Sequence, residues 1–447
     1  MSDLATSSIQ RRHYLDAVRA FAMLSGIAFH AALSFTGRFW FVQDLRPNHM
    51  FMWFCAALHG FRMPLFMLVS GYFTMMLWRQ RGLKALLKQR CIRVLIPCLL
   101  GLLTVIPAMH WAADRATELE ARQDAQTRSR STSPGGAQMD AAATPAATTD
   151  QPTTIREKYS AFLASDRWSI RWNSHRDPIG LFNTDIFAHL WFLWFLCWYV
   201  AIFAVLAKLA ERFPGMRVPH WPVMSHFRWL WLVPLTMIPQ VLMGTAIVAP
   251  GFGPDVSSGW IPQPHMLFYY GIFFAFGALY FDCDDRDGQL GRWWYLAIPL
   301  ALLVFMPLGL TFKRTLPSGL AQVLYAWAMV VGVIGLFRKF LTKENRAIRY
   351  LSDSAYWLYL AHLPLVILAQ AELRGWDCPS VIRWLIICAS VTAFLLMTYQ
   401  LFVRYTPVGW LLNGPRRRTV PIPRLAATES NRGHPGAQTA LPIPELV

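Results

Sequence analysis

The sequence of 447 residues is 55% hydrophobic and only 15% charged, whereas an ordinary globular protein is about 45–50% apolar and about 25% charged; a soluble enzyme and a coiled coil are thereby excluded. The formal charge of +17 would suggest nucleic acid if the basic residues formed a patch, but they fall in short segments between apolar runs, as in cytoplasmic loops. The 7 cysteines are scattered, odd in number and without a CxxC pair, which excludes a disulfide scaffold and offers no metal site.

In chain order, residues 1–12 form a short N-terminal segment. Its Arg11-Arg12 faintly resembles a twin-arginine signal, but Asp16 and Arg19 interrupt the apolar run that follows and no small-residue cleavage site ends it, so a retained first span is expected. About ten runs long enough to cross a bilayer follow, at roughly 13–35, 50–78, 92–111, 188–208, 229–250, 265–281, 293–312, 320–338, 353–371 and 381–403. Arg79, Arg81, Lys84, Lys88 and Arg90 fall between the second and third. Arg338, Lys339, Lys343, Arg346 and Arg349 fall between the eighth and ninth, and Arg416, Arg417 and Arg418 follow the last. With an even number of spans these groups share one side, which the positive-inside rule makes cytoplasmic along with both termini. Lys313 and Arg314 mildly violate the rule. The expected fold is an all-α polytopic membrane helix bundle occupying residues 13–405. A long outer loop at 112–187 interrupts it; about 117–154 of that loop is rich in Ala, Thr, Ser, Gln and Pro and is expected to be disordered. Its last part, with Trp168, Trp172, His175 and Asn183, is expected to be ordered. Residues 406–447 form a cytoplasmic tail, disordered from about 425.

Ionisable groups at depth are the informative residues, because each costs at least about 2.5–3.5 kcal/mol near the bilayer centre. The first span carries Asp16, Arg19 and His30. Arg19 and His30 lie close to three helical turns apart, on one face and about 16 Å from each other, a spacing suited to the two ends of one long ligand. The plainer alternatives are a snorkelling Arg19 paired with Asp16 and a core histidine bonded to a neighbouring helix. Arg62 sits in an apolar run beside Pro64, where a broken helix needs protein or a water-filled cavity around it; a simple kink is the alternative. Arg90 and Arg93 at i and i+3 suit phosphate, or merely anchor a helix end. His189 opens the fourth span with Trp191, in a stretch an aromatic belt would also explain. His362 falls near mid-membrane, one turn after Tyr359. His265, Tyr269 and Tyr270 are weaker candidates for lining a cavity.

Leu15-Asp16-Ala17-Val18-Arg19-Ala20 with His30 resembles the first-helix signature of the acyltransferase-3 family of integral membrane acyltransferases. Arg62-Met63-Pro64-Leu65-Phe66 followed by Ser70-Gly71-Tyr72-Phe73 resembles its second motif, and Arg90-x-x-Arg93 with Pro97 its third. His189-Leu190-Trp191-Phe192-Leu193 and Tyr359-Leu360-Ala361-His362-Leu363-Pro364 resemble later ones. The likeness runs from about residue 10 to 405, and the wording around Arg62 is most similar to a branch implicated in succinylating osmoregulated periplasmic glucans.

That resemblance implies transfer of an acyl group, succinyl or acetyl, from cytoplasmic acyl-CoA to a hydroxyl of a periplasmic or cell-envelope glycan, in a bacterial inner membrane. No bound cofactor, metal or nucleic acid is implied. On this reading Arg19, Arg90 and Arg93 bind the donor. His30 acts as general base or acyl carrier, with Arg19 and Arg62 beside it in the catalytic set. Asp16, His189, Trp191, Tyr359 and His362 orient the acceptor or support the site. The alternative is a multi-span transporter of a glycan or small anion, using the same His and Arg residues as a pathway; the related halves common in transporters are not visible, since Arg19-x10-His30 has no counterpart after residue 229.

Overall fold

The computed structural model describes residues 13–37, 40–131, 154–165, 169–170, 179–213, 220–243, 251–312, 315–343 and 345–414. Arg11, Arg12, Trp168, Trp172, His175, Lys313, Arg314, Arg416, Arg417 and Arg418 lie outside them, as do residues 132–153 of the long loop and the tail from 415.

Fourteen helices are described: α1 His13–Leu33, α2 His49–Arg90, α3 Ile96–Ser131, α4 Ile155–Ala164, α5 Trp191–Ala210, α6 Trp221–Met224, α7 Arg228–Gln240, α8 Pro264–Asp282, α9 Trp294–Leu300, α10 Met306–Thr311, α11 Leu316–Phe340, α12 Arg346–Leu373, α13 Ser380–Thr398 and α14 Pro407–Asn413. Single π turns at Cys91–Leu95 and Ala301–Phe305 join α2 to α3 and α9 to α10, and a third, Tyr399–Val403, extends α13. Side chains cap the helices where the sequence supplies them. Asn48 accepts from Met50 N, Thr315 from Ser318 N, and Asn345 from Ala347 N and Ile348 N, each satisfying a backbone donor that has no partner inside its helix.

Among the described residues, 8 helical stretches are long and apolar enough to cross a membrane. One of them, His49–Gln126, has 78 residues, about 117 Å of helix, far beyond a hydrocarbon core about 30 Å thick. Gly82 resolves this. Its φ of 76° and ψ of 173° are open only to a residue without a Cβ, and the helix folds back there. Arg90 Nη2 then donates to Thr74 Oγ1 at 2.9 Å, so the two limbs run antiparallel and supply the second and third expected spans. The fifth expected span, 229–250, meets α7, which has only 13 residues and holds Pro234 and Pro239. At about 20 Å it falls short of the hydrocarbon thickness by itself, and residues 244–250 lie outside the described set.

The expectation of disorder from residue 117 is corrected in part, because α3 stays helical to Ser131. Ala, Glu, Arg and Gln dominate that stretch and are good helix formers. It is also anchored: Arg374, just past the end of α12, pairs with Asp124 at 2.7 Å and Glu120 at 3.5 Å, and Gln123 Nε2 donates to Ala371 O. Further along, Ser169–Ile170 and Ile179–Gly180 pair as a two-residue antiparallel ladder.

The core is tight where small residues let backbones meet. A Cβ on Gly71 would overlap the Phe274 carbonyl, and one on Gly277 would overlap the Leu68 carbonyl, so α2 and α8 cross in direct backbone contact, as membrane helices do at glycines. Ion pairs mark both ends of the bundle. At the end where α1 begins, here the near face, Arg79 pairs with Asp282 and Arg338 with Asp285. At the far face, Arg383 grips Asp44 through two hydrogen bonds of 2.6 and 3.0 Å, and Arg374 Nε donates to Gln43 O. These far-face contacts pin the 40–48 segment across the mouth of the bundle.

Candidate active site

Two cavities with unlike linings open inside the bundle. The near one, about 860 Å³, is a polar vestibule that includes Asp16, Arg19, Arg90, Arg93, Ser352 and Tyr356. The far one, about 240 Å³, is narrow and more apolar and includes His30, His59, Arg62, His189, Tyr359 and His362. Met23, Phe66 and Phe192 line both, so these three side chains form an apolar neck between the two.

The Arg19 and Arg90 side chains are held by neighbours rather than free in solvent, and the Arg93 backbone is fixed beside them. Arg19 Nη2 donates to Ser352 Oγ on α12 at 3.0 Å and lies 3.8 Å from Asp16. Arg90 is tethered to Thr74, and Tyr356 Oη donates to Arg93 O at 2.8 Å. Arg19, Arg90 and Arg93 are therefore together, as their expected donor-binding role requires. Arg19 does not line the histidine cavity, so the other expectation, that it shares in the chemistry beside His30, is not met by its position. Asp16 likewise stands with Arg19 in the vestibule, remote from any acceptor reaching the histidines.

Helices far apart in sequence converge on the far cavity. His30 comes from the last turns of α1, His59 and Arg62 from one turn of α2, His189 from the short 3-10 turn Ala188–Leu190 just before α5, and Tyr359 and His362 from α12. The His30 and His362 ring centroids are 5.2 Å apart, and His362 and His189 are 5.6 Å apart. Arg62 lies 4.7 Å from the Phe29 ring centroid, and Phe29 stacks on His59 at 5.7 Å.

Backbone carbonyls set the tautomers. His362 Nδ1 faces Tyr359 O at 2.7 Å and Leu358 O at 3.1 Å. Since a carbonyl only accepts, Nδ1 carries the proton and Nε2 is the bare base. That Nε2 is buried without a hydrogen-bond partner among the described residues. His189 shows the opposite arrangement: its Nε2 donates to Leu360 O at 3.2 Å and its Nδ1 is bare. Pro364 explains why that carbonyl is available, because proline has no N–H to return to the residue four positions earlier. Tyr359 Oη completes the join by donating to His189 O at 2.6 Å. His30 Nδ1 and Arg62 Nε are also buried without partners among the described residues.

Above His30, Trp40 lies with its ring centroid 5.6 Å away and planes at 30°. Its Nε1 donates to Gln370 Oε1 at 2.9 Å, while Gln370 Nε2 donates to His30 O at 2.8 Å and Ala31 O at 3.2 Å. Trp191 lines the cavity but is mostly packed against Tyr270 and Phe195. His265, Tyr269 and Tyr270 line neither cavity. Sequence reasoning missed His59, Trp40 and Gln370. His59 had a usable signal, one turn before Arg62 on the same face; the other two had none.

The chain is similar to known proteins over most of its length. The acyltransferase-3 family model, described as an acyltransferase domain, matches residues 12–400. Glucans biosynthesis protein C of Salmonella gallinarum is 25% identical over 422 residues, covering 90% of this chain and 95% of the relative. The proteins of the same name from Salmonella paratyphi B and Salmonella heidelberg are also 25% identical, over 422 and 418 residues with the same coverage. No solved structure matches the chain. With the match running from residue 12 to 400, through the whole far cavity and most of the vestibule lining, the chain belongs to the acyltransferase-3 family of integral membrane acyltransferases.

Proposed function

We propose that the protein moves an acyl group from acyl-CoA on the near, cytoplasmic face to a hydroxyl of an envelope glycan at the far face, in a bacterial inner membrane. The observation that carries this is the junction of the two cavities. An arginine vestibule suited to a nucleotide pyrophosphate adjoins, across an apolar neck of three shared side chains, a cluster of histidines with bare nitrogens. The Arg19–His30 separation, about 16 Å along α1, matches a linear arm carrying a thioester, not a compact donor. Basic residues at Arg79, Arg81, Lys84, Lys88, Arg338 and Lys339 gather at the near face, which supports its cytoplasmic assignment. The relatives' name, glucans biosynthesis protein C, supports a glucan as acceptor.

The chemistry centres on His30, whose Nδ1 is buried without a partner among the described residues. His30 removes the acceptor hydroxyl proton as the oxygen attacks the thioester carbonyl. Arg62 stabilises the developing oxyanion. The thiolate leaves and recovers the proton through His30. His362 and His189, locked by carbonyls of α12, keep the neighbouring ring in register.

Arg62 also favours one acyl group. No carboxylate pairs with it among the described residues, and a buried cation without a counter-ion is costly. A succinyl chain would bring a carboxylate to it; an acetyl group would not. The deciding experiment uses purified protein in detergent with succinyl-CoA or acetyl-CoA and a glucan oligosaccharide, reading thiol release and product mass. Transfer is expected with succinyl-CoA and is expected to vanish in His30→Ala. Normal transfer by folded His30→Ala would refute the assigned base.

A further inference from the structure

The vestibule has arginines on two walls, and one wall suffices for a pyrophosphate. Arg19, Arg90 and Arg93 come from α1 and the limb after Gly82. Arg349 and Arg404 line the same space from α12 and from just past the last π turn, with Tyr405 beside them. The carboxylates lining it are those of Asp16 and Asp353, so the cavity favours a polyanion.

The two sets stand at different heights. Arg19 is bonded to Ser352, and Arg349 precedes Ser352 by three residues on α12, about 4.5 Å closer to the near face. Arg404 follows Val403, where the helical stretch ends on that same face. Its guanidinium lies 5.2 Å from the ring centroids of both Tyr350 and Tyr405. Its Nη1 donates to Gln400 Oε1, and its Nε is buried without a partner among the described residues. Tyr405 itself is 40% exposed, which leaves ring surface for a ligand.

Resting on the acyl-CoA reading above, we infer that this outer wall is the subsite for the 3′-phosphoadenosine of coenzyme A. Arg349 and Arg404 take the 3′-phosphate, whose oxygens match the guanidinium fork. Tyr405 stacks on the purine, as aromatic rings do with any base. Arg19, Arg90 and Arg93, nearer the neck, take the pyrophosphate from which the pantetheine arm departs. The order along the axis is then that of the ligand: nucleotide at the near face, arm through the neck, thioester at the histidines.

The test is calorimetric binding of coenzyme A and of 3′-dephospho-coenzyme A to the full chain in detergent at one ionic strength. The wild type is expected to prefer coenzyme A by about tenfold or more, the scale of one charge-assisted contact. Arg404→Gln and Arg349→Gln should each erode that preference while leaving dephospho-coenzyme A binding unchanged, whereas Arg93→Gln should weaken both ligands alike. Equal wild-type affinity for the two ligands overturns the subsite, and needs no variant to fold. Preference retained in folded Arg404→Gln and Arg349→Gln overturns it as well. If coenzyme A binds without preference, only the subsite falls; if neither ligand binds, the acyl-CoA reading falls with it.

Discussion

Gln370→Leu isolates how His30 is held, because Gln370 lines neither cavity and its effect must pass through Trp40 and the end of α1. The substitution removes three hydrogen bonds, of 2.9 Å to Trp40 Nε1, 2.8 Å to His30 O and 3.2 Å to Ala31 O. A net worth near 1 kcal/mol for the Trp40 bond, plus a smaller share for two carbonyls, gives about 1–2 kcal/mol. If that energy serves to align the ring, kcat should fall about 5- to 30-fold, with the donor KM unchanged. Trp40→Phe removes the same indole donor and keeps a ring over His30, so it should cost about 5-fold by the same conversion. The two changes break one shared bond, and the double variant should be no slower than Gln370→Leu alone. The assay is steady-state thiol release with donor varied at saturating acceptor, alongside thermal unfolding to confirm folding. Full additivity of the two variants, or a loss confined to donor KM, would refute the reasoning.

Other consequences can be measured. Asp44→Asn leaves Arg383, 2% exposed along its side chain, as an uncompensated buried charge at an expected cost of about 3–5 kcal/mol; unfolding in detergent should show it, and Asp44→Asn with Arg383→Met should recover most of it. Gly277→Val drives a side chain into the Leu68 carbonyl, and an overpacking cost of about 1–3 kcal/mol or more should appear as lost folded yield; unchanged yield and melting would show that α2 and α8 separate easily. Arg62→Gln should lower turnover of succinyl-CoA more than that of acetyl-CoA, by about tenfold for one lost charge-assisted contact; equal losses would confine Arg62 to oxyanion stabilisation.

The membrane-spanning helices were legible because a bilayer imposes one length on every apolar run, which needs no tertiary contacts. The limits were just as physical. Residues 117–131 read as low-complexity sequence, yet Ala, Glu and Arg there form helix once Arg374 anchors Glu120 and Asp124. Within the site, Arg19 with His30, Arg90 with Arg93, and Arg62 near Pro64 were visible as spacings on single helices. The roles of Trp40 and Gln370 were not, since their contact joins residues 330 positions apart and neither belongs to a local motif. Arg349 was visible only as part of a basic loop, which the positive-inside rule explained too easily. Pro364 is an intermediate case: its place in the motif was plain, but that it frees the Leu360 carbonyl for His189 required the partner helix.

The neck is what separates an acyltransferase from the transporter alternative. A transporter must pass its whole substrate, so a polar solute such as a sugar would need polar groups along the route to replace its water. Here the residues shared by the two cavities are Met23, Phe66 and Phe192, which offer a sugar hydroxyl nothing to bond. They suit a slender arm that enters from one side and never leaves the other. The charged groups divide accordingly: permanent cations collect in the vestibule, where a polyanionic head would remain. Beyond the neck stand three histidine rings in sequential contact, placed to take a proton from a hydroxyl. A constriction between two unlike cavities, with the fixed tautomers of His189 and His362 beyond it, fits transfer of an acyl group to an acceptor better than passage of a whole solute.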